Sequence, residues 1–176
     1  MKECRKARSF LNRFARKTGG ATAIEFAIVA LPFFSLMFAI FDVSLVYFAT
    51  SALENAVSSA ARSIRTGQAQ VANMTEEQFR EMVCNRITPL LSCEDSLMID
   101  VRTFDNFGGI ATPPALDENG NFSGDTEFQT GTAGSVVVVR AFYAWPMLTP
   151  SGMVYSNMTG HARLLSASTA FRNEPF

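Results

Sequence analysis

Histidine and tryptophan each occur once in these 176 residues, and cysteine only three times. So few imidazoles and thiols leave no plausible zinc-binding set. His161 opens an alternating stretch with no cysteine or aspartate at motif spacing, which favours a surface or capping role over general-base chemistry. A phosphate-binding loop and a dinucleotide fingerprint are also missing. The oxygen-rich run Asp117, Glu118, Asn119, Asn121, Asp125 and Glu127 has its glycines out of register with a calcium-binding hand, and it reads as a solvated loop. No catalytic, metal or cofactor site emerges, and no small-molecule substrate is implied. Charge is scarce as well, at 18% against 48% hydrophobic residues, which excludes a disordered chain. The length suggests one domain. No apolar run precedes Cys4, so that cysteine is not a lipoprotein acceptor.

The charge that is present is unevenly spread. Residues 1–20 hold seven basic side chains (Lys2, Arg5, Lys6, Arg8, Arg13, Arg16, Lys17) against Glu3 alone. Eight basic and fifteen acidic residues follow, a balance that argues against a nucleic-acid-binding body. Directly after the basic segment, Phe26 to Phe41 carries no charge, and Val43 to Leu53 carries none either; only Asp42 interrupts them. A bilayer core about 30 Å thick needs roughly 20 apolar helical residues, so this stretch predicts a membrane-spanning helix over about residues 23–46. The basic cluster on its N-terminal side puts residues 1–20 in the cytoplasm by the positive-inside rule, and the rest of the chain outside the membrane. Cys84 and Cys93, nine positions apart around Thr88-Pro89, have a spacing that a disulfide closes if the chain turns back there. Two buried thiols are the alternative.

The junction Arg16-Lys17-Thr18-Gly19-Gly20-Ala21-Thr22-Ala23-Ile24-Glu25-Phe26 departs from a secretory signal, whose cleavage site follows its apolar part. Here the small residues come first. Gly19 and Gly20 are poor helix residues able to stay extended in a protease cleft, so a cut after Gly20 removes the basic leader and leaves the helix attached. Glu25 then becomes the fifth residue of a chain beginning at Ala21. An acid just inside a membrane span is costly unless paired, and the new Ala21 amine, on the same chain or a neighbour, is a positive partner close by.

This arrangement of basic leader, Gly20, four residues, then Glu25-Phe26 opening an apolar helix resembles the prepilin-peptidase substrates of the type IV pilin class. It is similar in detail to the tight-adherence (Tad, Flp pilus) branch. Together with the length and the tail from Leu164 to Phe176, it resembles the TadE-like pilus assembly proteins or minor pseudopilins. The resemblance implies that Gly20 and Ala21 flank a processing site and that Glu25, followed by Phe26, acts in processing or assembly. It also implies a bacterial inner-membrane protein with a periplasmic body. Its partners would be membrane lipid, the prepilin peptidase, other pilins or pseudopilins and the Tad assembly machinery. The competing reading is an uncleaved signal anchor carrying a periplasmic scaffold or adhesin, with Glu25 in the headgroup layer. A membrane-anchored enzyme is a third, without a catalytic motif to support it.

Beyond the bilayer the helical pattern continues through Leu53, Val57, Ala60, Ala61 and Ile64, until Gly67 ends it. A helix from Ala21 to Thr66 is roughly 69 Å long at 1.5 Å per residue, so its outer half must pack on its own body or on a neighbouring helix. Ala49, Ala52, Ala56 and Ala60 provide small residues that either admit a close helix or simply favour helix. Pro32 is positioned to kink the span. Asp42, on a different face from Glu25, is expected to reach the membrane–water interface, the alternative being a polar contact to a partner helix. Residues 67–176 form the body. Thr75 and Gln78 make a capping box for a helix over Glu76 to Ile87. Strands are predicted at Leu97–Phe104, Ser135–Trp145 and His161–Phe171, with 105–134 as a long loop rather than a core element. The expected class is α+β: a long N-terminal helix packed on a small antiparallel sheet with one short helix, as in pilins.

Overall fold

The computed structural model describes residues 20–87, 93, 96–147 and 155–176. Its first element is the long helix α1, Ala21–Arg65, which continues through Pro32. Two compact units share it, one ending at Ile40 and the other running from Phe41 to Phe176.

Within the second unit, Ala49, Leu53, Ala56, Val57, Ala60, Ala61 and Ile64 are all at most 3% exposed. They recur three and four positions apart, and that stripe is the face α1 lays on the body. The alanines therefore serve close approach of the chain's own sheet rather than of a neighbour's helix. Asp42 begins this same stripe, seven residues before Ala49, and is 4% exposed. It engages in a polar interaction there. The expectation that it reaches the membrane–water interface is thus corrected: the body already covers that side of α1 at residue 42.

Helix α1 stops where the sequence turns to Gly67, which adopts φ 79° and whose N–H donates to the Ile64 carbonyl at 3.1 Å. A left-handed residue closing a helix is the habitual role of glycine. The ring of Phe176 lies against it, occupying the space a Cβ would need. A four-residue helix α2, Gln68–Val71, follows, one more than the single short helix expected. Helix α3, Glu76–Ile87, begins with the reciprocal cap: the Gln78 N–H donates to Thr75 Oγ1 at 3.3 Å, and the Thr75 N–H to Gln78 Oε1 at 3.0 Å. Its buried face, Phe79, Val83 and Ile87, joins the same core.

The sheet is antiparallel in the order β1 (Leu97–Phe104), β2 (Val136–Pro146), β3 (Ala162–Arg172). Odd-numbered residues face the helices: Ile99 and Val101, Val137, Val139 and Ala141, Leu165 and Ala167. The other face is only partly open to solvent, chiefly at the even-numbered residues of β3. Segment 105–134 covers part of it, with Phe122 against Phe142 at 5.7 Å between ring centroids and the Pro113 carbonyl accepting from Arg140 at 2.8 Å. The same segment extends the β1 edge. Val101 donates to the Glu127 carbonyl at 2.7 Å and accepts from Gln129 at 2.8 Å, and Phe128 packs on Phe79. The expected long loop is therefore in part a covering layer. Val136 to Val139 are buried on both faces. His161, expected inside the third strand, sits just before it with φ 60° and is exposed.

Cys84 and Cys93 are joined, with 5.8 Å between their Cα atoms. The bond ties α3 to the approach to β1, while the turn expected at Thr88-Pro89 lies outside the described residues. Closing a loop this short restricts the unfolded chain, so the Cys84→Ser, Cys93→Ser protein is expected to lose about 2 to 3 kcal/mol of stability. Urea unfolding of both proteins, followed by the fluorescence of Trp145, checks this; an unchanged midpoint would mean the bond constrains nothing.

Candidate functional site

Glu25 and Phe26 fall in the second turn of α1, and both are exposed. Gly20 and Ala21 stand at its start, while the basic leader before them and Cys4 lie outside the described residues. From Ile24 onward the helix presents apolar side chains on every face: Phe26, Val29, Leu31, Phe33, Leu36 and Ile40 are each at least 60% exposed. One face of a water-soluble helix is normally polar, and a helix apolar all round belongs in a core or in lipid. None of the most apolar window is buried within the protein, and the helix is long and apolar enough to cross a membrane. The outer half of α1 is amphipathic by contrast. It buries the stripe from Ala49 to Ile64 and exposes Glu54, Asn55, Ser58, Ser59 and Arg62.

The polar interior of the body is concentrated at Asp100, which the sequence reading did not single out. Its side chain is 1% exposed and meets Arg140 across the β1–β2 pair. Arg140 donates to Oδ2 from Nη2 at 2.6 Å and from Nε at 2.9 Å; Arg102 Nε and the Glu127 N–H both donate to Oδ1 at 2.9 Å. Burial pushes the Asp100 carboxyl up, but the Glu127 N–H and the two guanidinium groups outweigh it and hold the carboxyl below its ordinary value. Arg102 continues outward to Asp125 and Glu127. All four donor contacts on Asp100 come from the protein itself, and neither arginine is left to receive a substrate. The network is a structural tie between the sheet and its covering segment. A sequence signal existed in the even parity of Asp100 within an alternating strand, which puts it on the face away from the helices.

The acidic stretch from Asp117 is also satisfied internally. Asp117 Oδ1 accepts from the Asn121 N–H at 2.8 Å and the Asn119 N–H at 2.9 Å, and the Asn121 N–H is foremost in lowering its pKa. Among the described residues no three His, Cys, Asp or Glu side chains are grouped to hold a metal.

What remains as a site is the start of α1 with its bare apolar shaft, and that is where a comparison with known families lands: the model for TadE-like proteins matches residues 20–62. Residues 20–62 are similar to TadE-like proteins. The match opens at Gly20 and closes within α1, so it covers the junction, the apolar shaft and most of the packed half but not the sheet. It takes in less than half of the chain. No curated protein and no solved structure matches. The match likens this segment to TadE-like proteins, and the same segment holds the helix that is long and apolar enough to cross a membrane.

Proposed function

We propose that the chain is a prepilin-like minor component of a Tad-type pilus or secretion apparatus, processed after Gly20. The observation that carries this reading is the exposed apolar shaft, which begins within a few residues of Gly20 inside the TadE-like segment. Residues 1–20 are the cytoplasmic leader that orients insertion, the span starts at about residue 23 and ends where the body begins to cover α1 near Asp42, and residues 67–176 are the periplasmic body. A prepilin peptidase removes the leader, and the mature chain starts at Ala21.

The shaft sets the energetics of assembly. Lipid tails are as apolar as leucine, so moving such a helix from bilayer to helix bundle gains little from hydrophobicity. Packing and the pairing of polar groups decide it. Glu25 supplies the polar group, and the Ala21 amine released by processing on a neighbouring subunit supplies the opposite charge. Other pilins and the Tad assembly machinery are the partners this requires. The body, carrying its own core, stays folded while the shaft changes surroundings.

Intact-mass measurement of the protein from membranes of cells with and without an active prepilin peptidase tests the proposal. A species beginning at Ala21 is expected only where the peptidase is active. Full-length protein in both, with the peptidase cutting another substrate, would replace this reading with an uncleaved anchor bearing a periplasmic scaffold.

A further inference from the structure

The two outer edges of the sheet differ. Residues 127–129 occupy part of the β1 edge, but β3 is the terminal strand on the other side. At its beginning, the Ala162 carbonyl accepts from the Asn157 and Met158 N–H groups, and the Leu164 N–H donates to Asn157 Oδ1 at 2.8 Å. These bonds point away from β2. Along an antiparallel strand the backbone groups of alternate residues point to opposite sides, so every even-numbered residue of β3 has its N–H and C=O directed outward. Ser166, Ser168, Ala170 and Arg172 are all exposed, and among the described residues none has a backbone partner on that side. Such a row is a template for a further strand. Leu164 to Phe171 contains no proline and no charge, the residues that usually blunt an edge.

Charge indicates what fits there. Of the eight arginines after residue 20, Arg65, Arg80, Arg102 and Arg140 pair with carboxylates. Arg62, Arg86, Arg163 and Arg172 have no such partner among the described residues. Three of those four frame β3. Arg163 and Arg172 stand near its ends, and Arg62 lines a groove of about 420 Å³ between α1 and β3, with Asn55, Ser58, Ser59 and Thr169. Among the described residues no carboxylate lines that groove. A basic edge thus stands on a body whose overall balance is acidic. Antiparallel pairing of two copies about Ser168 would set Arg172 of each opposite Leu164 of the other, and a second β3, Ala162–Arg172, has no carboxylate to offer this basic edge.

We propose that the outer edge of β3 takes up an extended segment of a different protein as a fourth strand. Carboxylates on that segment meet Arg62 and Arg172, and its helix-side residues lie along Asn55, Ser58 and Ser59, while Arg163 donates to the Tyr155 carbonyl at 2.8 Å. The surface belongs to the body and does not depend on processing at Gly20.

A benzophenone side chain placed at Ala170 of the full chain, photolysed in the native membrane, tests this, with the joined peptide sequenced by mass spectrometry. The expected product is a cross-link to another protein within a stretch carrying acidic residues. Its yield should fall by about tenfold in Ser168→Pro, which deletes an outward N–H, and in the Arg62→Glu, Arg172→Glu protein, but not in Ser168→Ala. Trp145 fluorescence verifies folding, and the charge-reversal protein decides if the proline variant unfolds. A cross-link only to a second copy, no cross-link, or a yield indifferent to charge reversal would overturn the proposal.

Discussion

Gly20→Phe is expected to leave the protein at full length in membranes that contain an active prepilin peptidase, with the species beginning at Ala21 reduced on the order of 100-fold. A protease cleft binds its substrate extended and close to the backbone, and glycine at the cut allows that approach where a ring does not. The folded protein itself should tolerate the change. A Cβ built at Gly20 meets nothing within 4 Å, so no packing is disturbed, and the sheet and its core lie within the unit that starts at Phe41. Unaltered Trp145 fluorescence together with blocked processing would therefore locate the defect in cleavage. Gly20→Ala, with a single added methyl, is expected to be cut more slowly but not blocked. If Gly20→Phe is processed normally, or if neither it nor the parent is processed, Gly20 is not the residue before the cut.

Asp100→Ala is expected to remove about 3 kcal/mol of stability, because it strands the Arg140 guanidinium, which the fold holds largely out of water, while Arg102 keeps Asp125 and Glu127. The side chains of Arg140 and Arg102 are only 12% and 15% exposed, and Asp100 is the one carboxylate that Arg140 meets among the described residues. Urea unfolding of the full chain in detergent micelles, read from Trp145, measures the loss. Asp100→Asn separates charge from shape, and the pH dependence follows with a definite sign. The folded-state pKa of Asp100 lies below its unfolded value of about 3.9, so its contribution is present above that value. The contribution is then lost as pH falls through the lower, folded-state pKa. The stability of the parent should decline below about pH 4, and that of Asp100→Asn less steeply over the same range. Equal slopes would mean that the network stabilises by shape alone.

Most of the architecture can be read directly from the chain because its signals are local. The reciprocal cap at Thr75 and Gln78, the alternation from Leu97 to Phe104 and the stripe ending at Ile64 are each carried by residues within a few positions of one another. Segment 105–134 could not be read in that way. Six glycines and Pro113-Pro114 signal a loop, and nothing local says that Phe122 will meet Phe142 or that residues 127–129 will extend β1. The ion network has the same origin. Asp100 and Arg140 are 40 positions apart, and only the β1–β2 register opposes them.

Asp42 marks the division most sharply. By sequence it is a lone acid near the end of an apolar run, and hydropathy alone sends such a residue to the interface. The packed body buries it, since it shares a helix face with Ala49, Ala56 and Ser63. The sequence by itself determined the basic leader, the Gly20 junction with Glu25, the apolar shaft and the α+β pattern, because composition, order and short-range periodicity encode these. Tertiary structure alone decided which face of α1 belongs to the body and, among the described residues, which edge of the sheet remains open and which arginines are left without a carboxylate. Those depend on residues far apart in the chain meeting across a sheet.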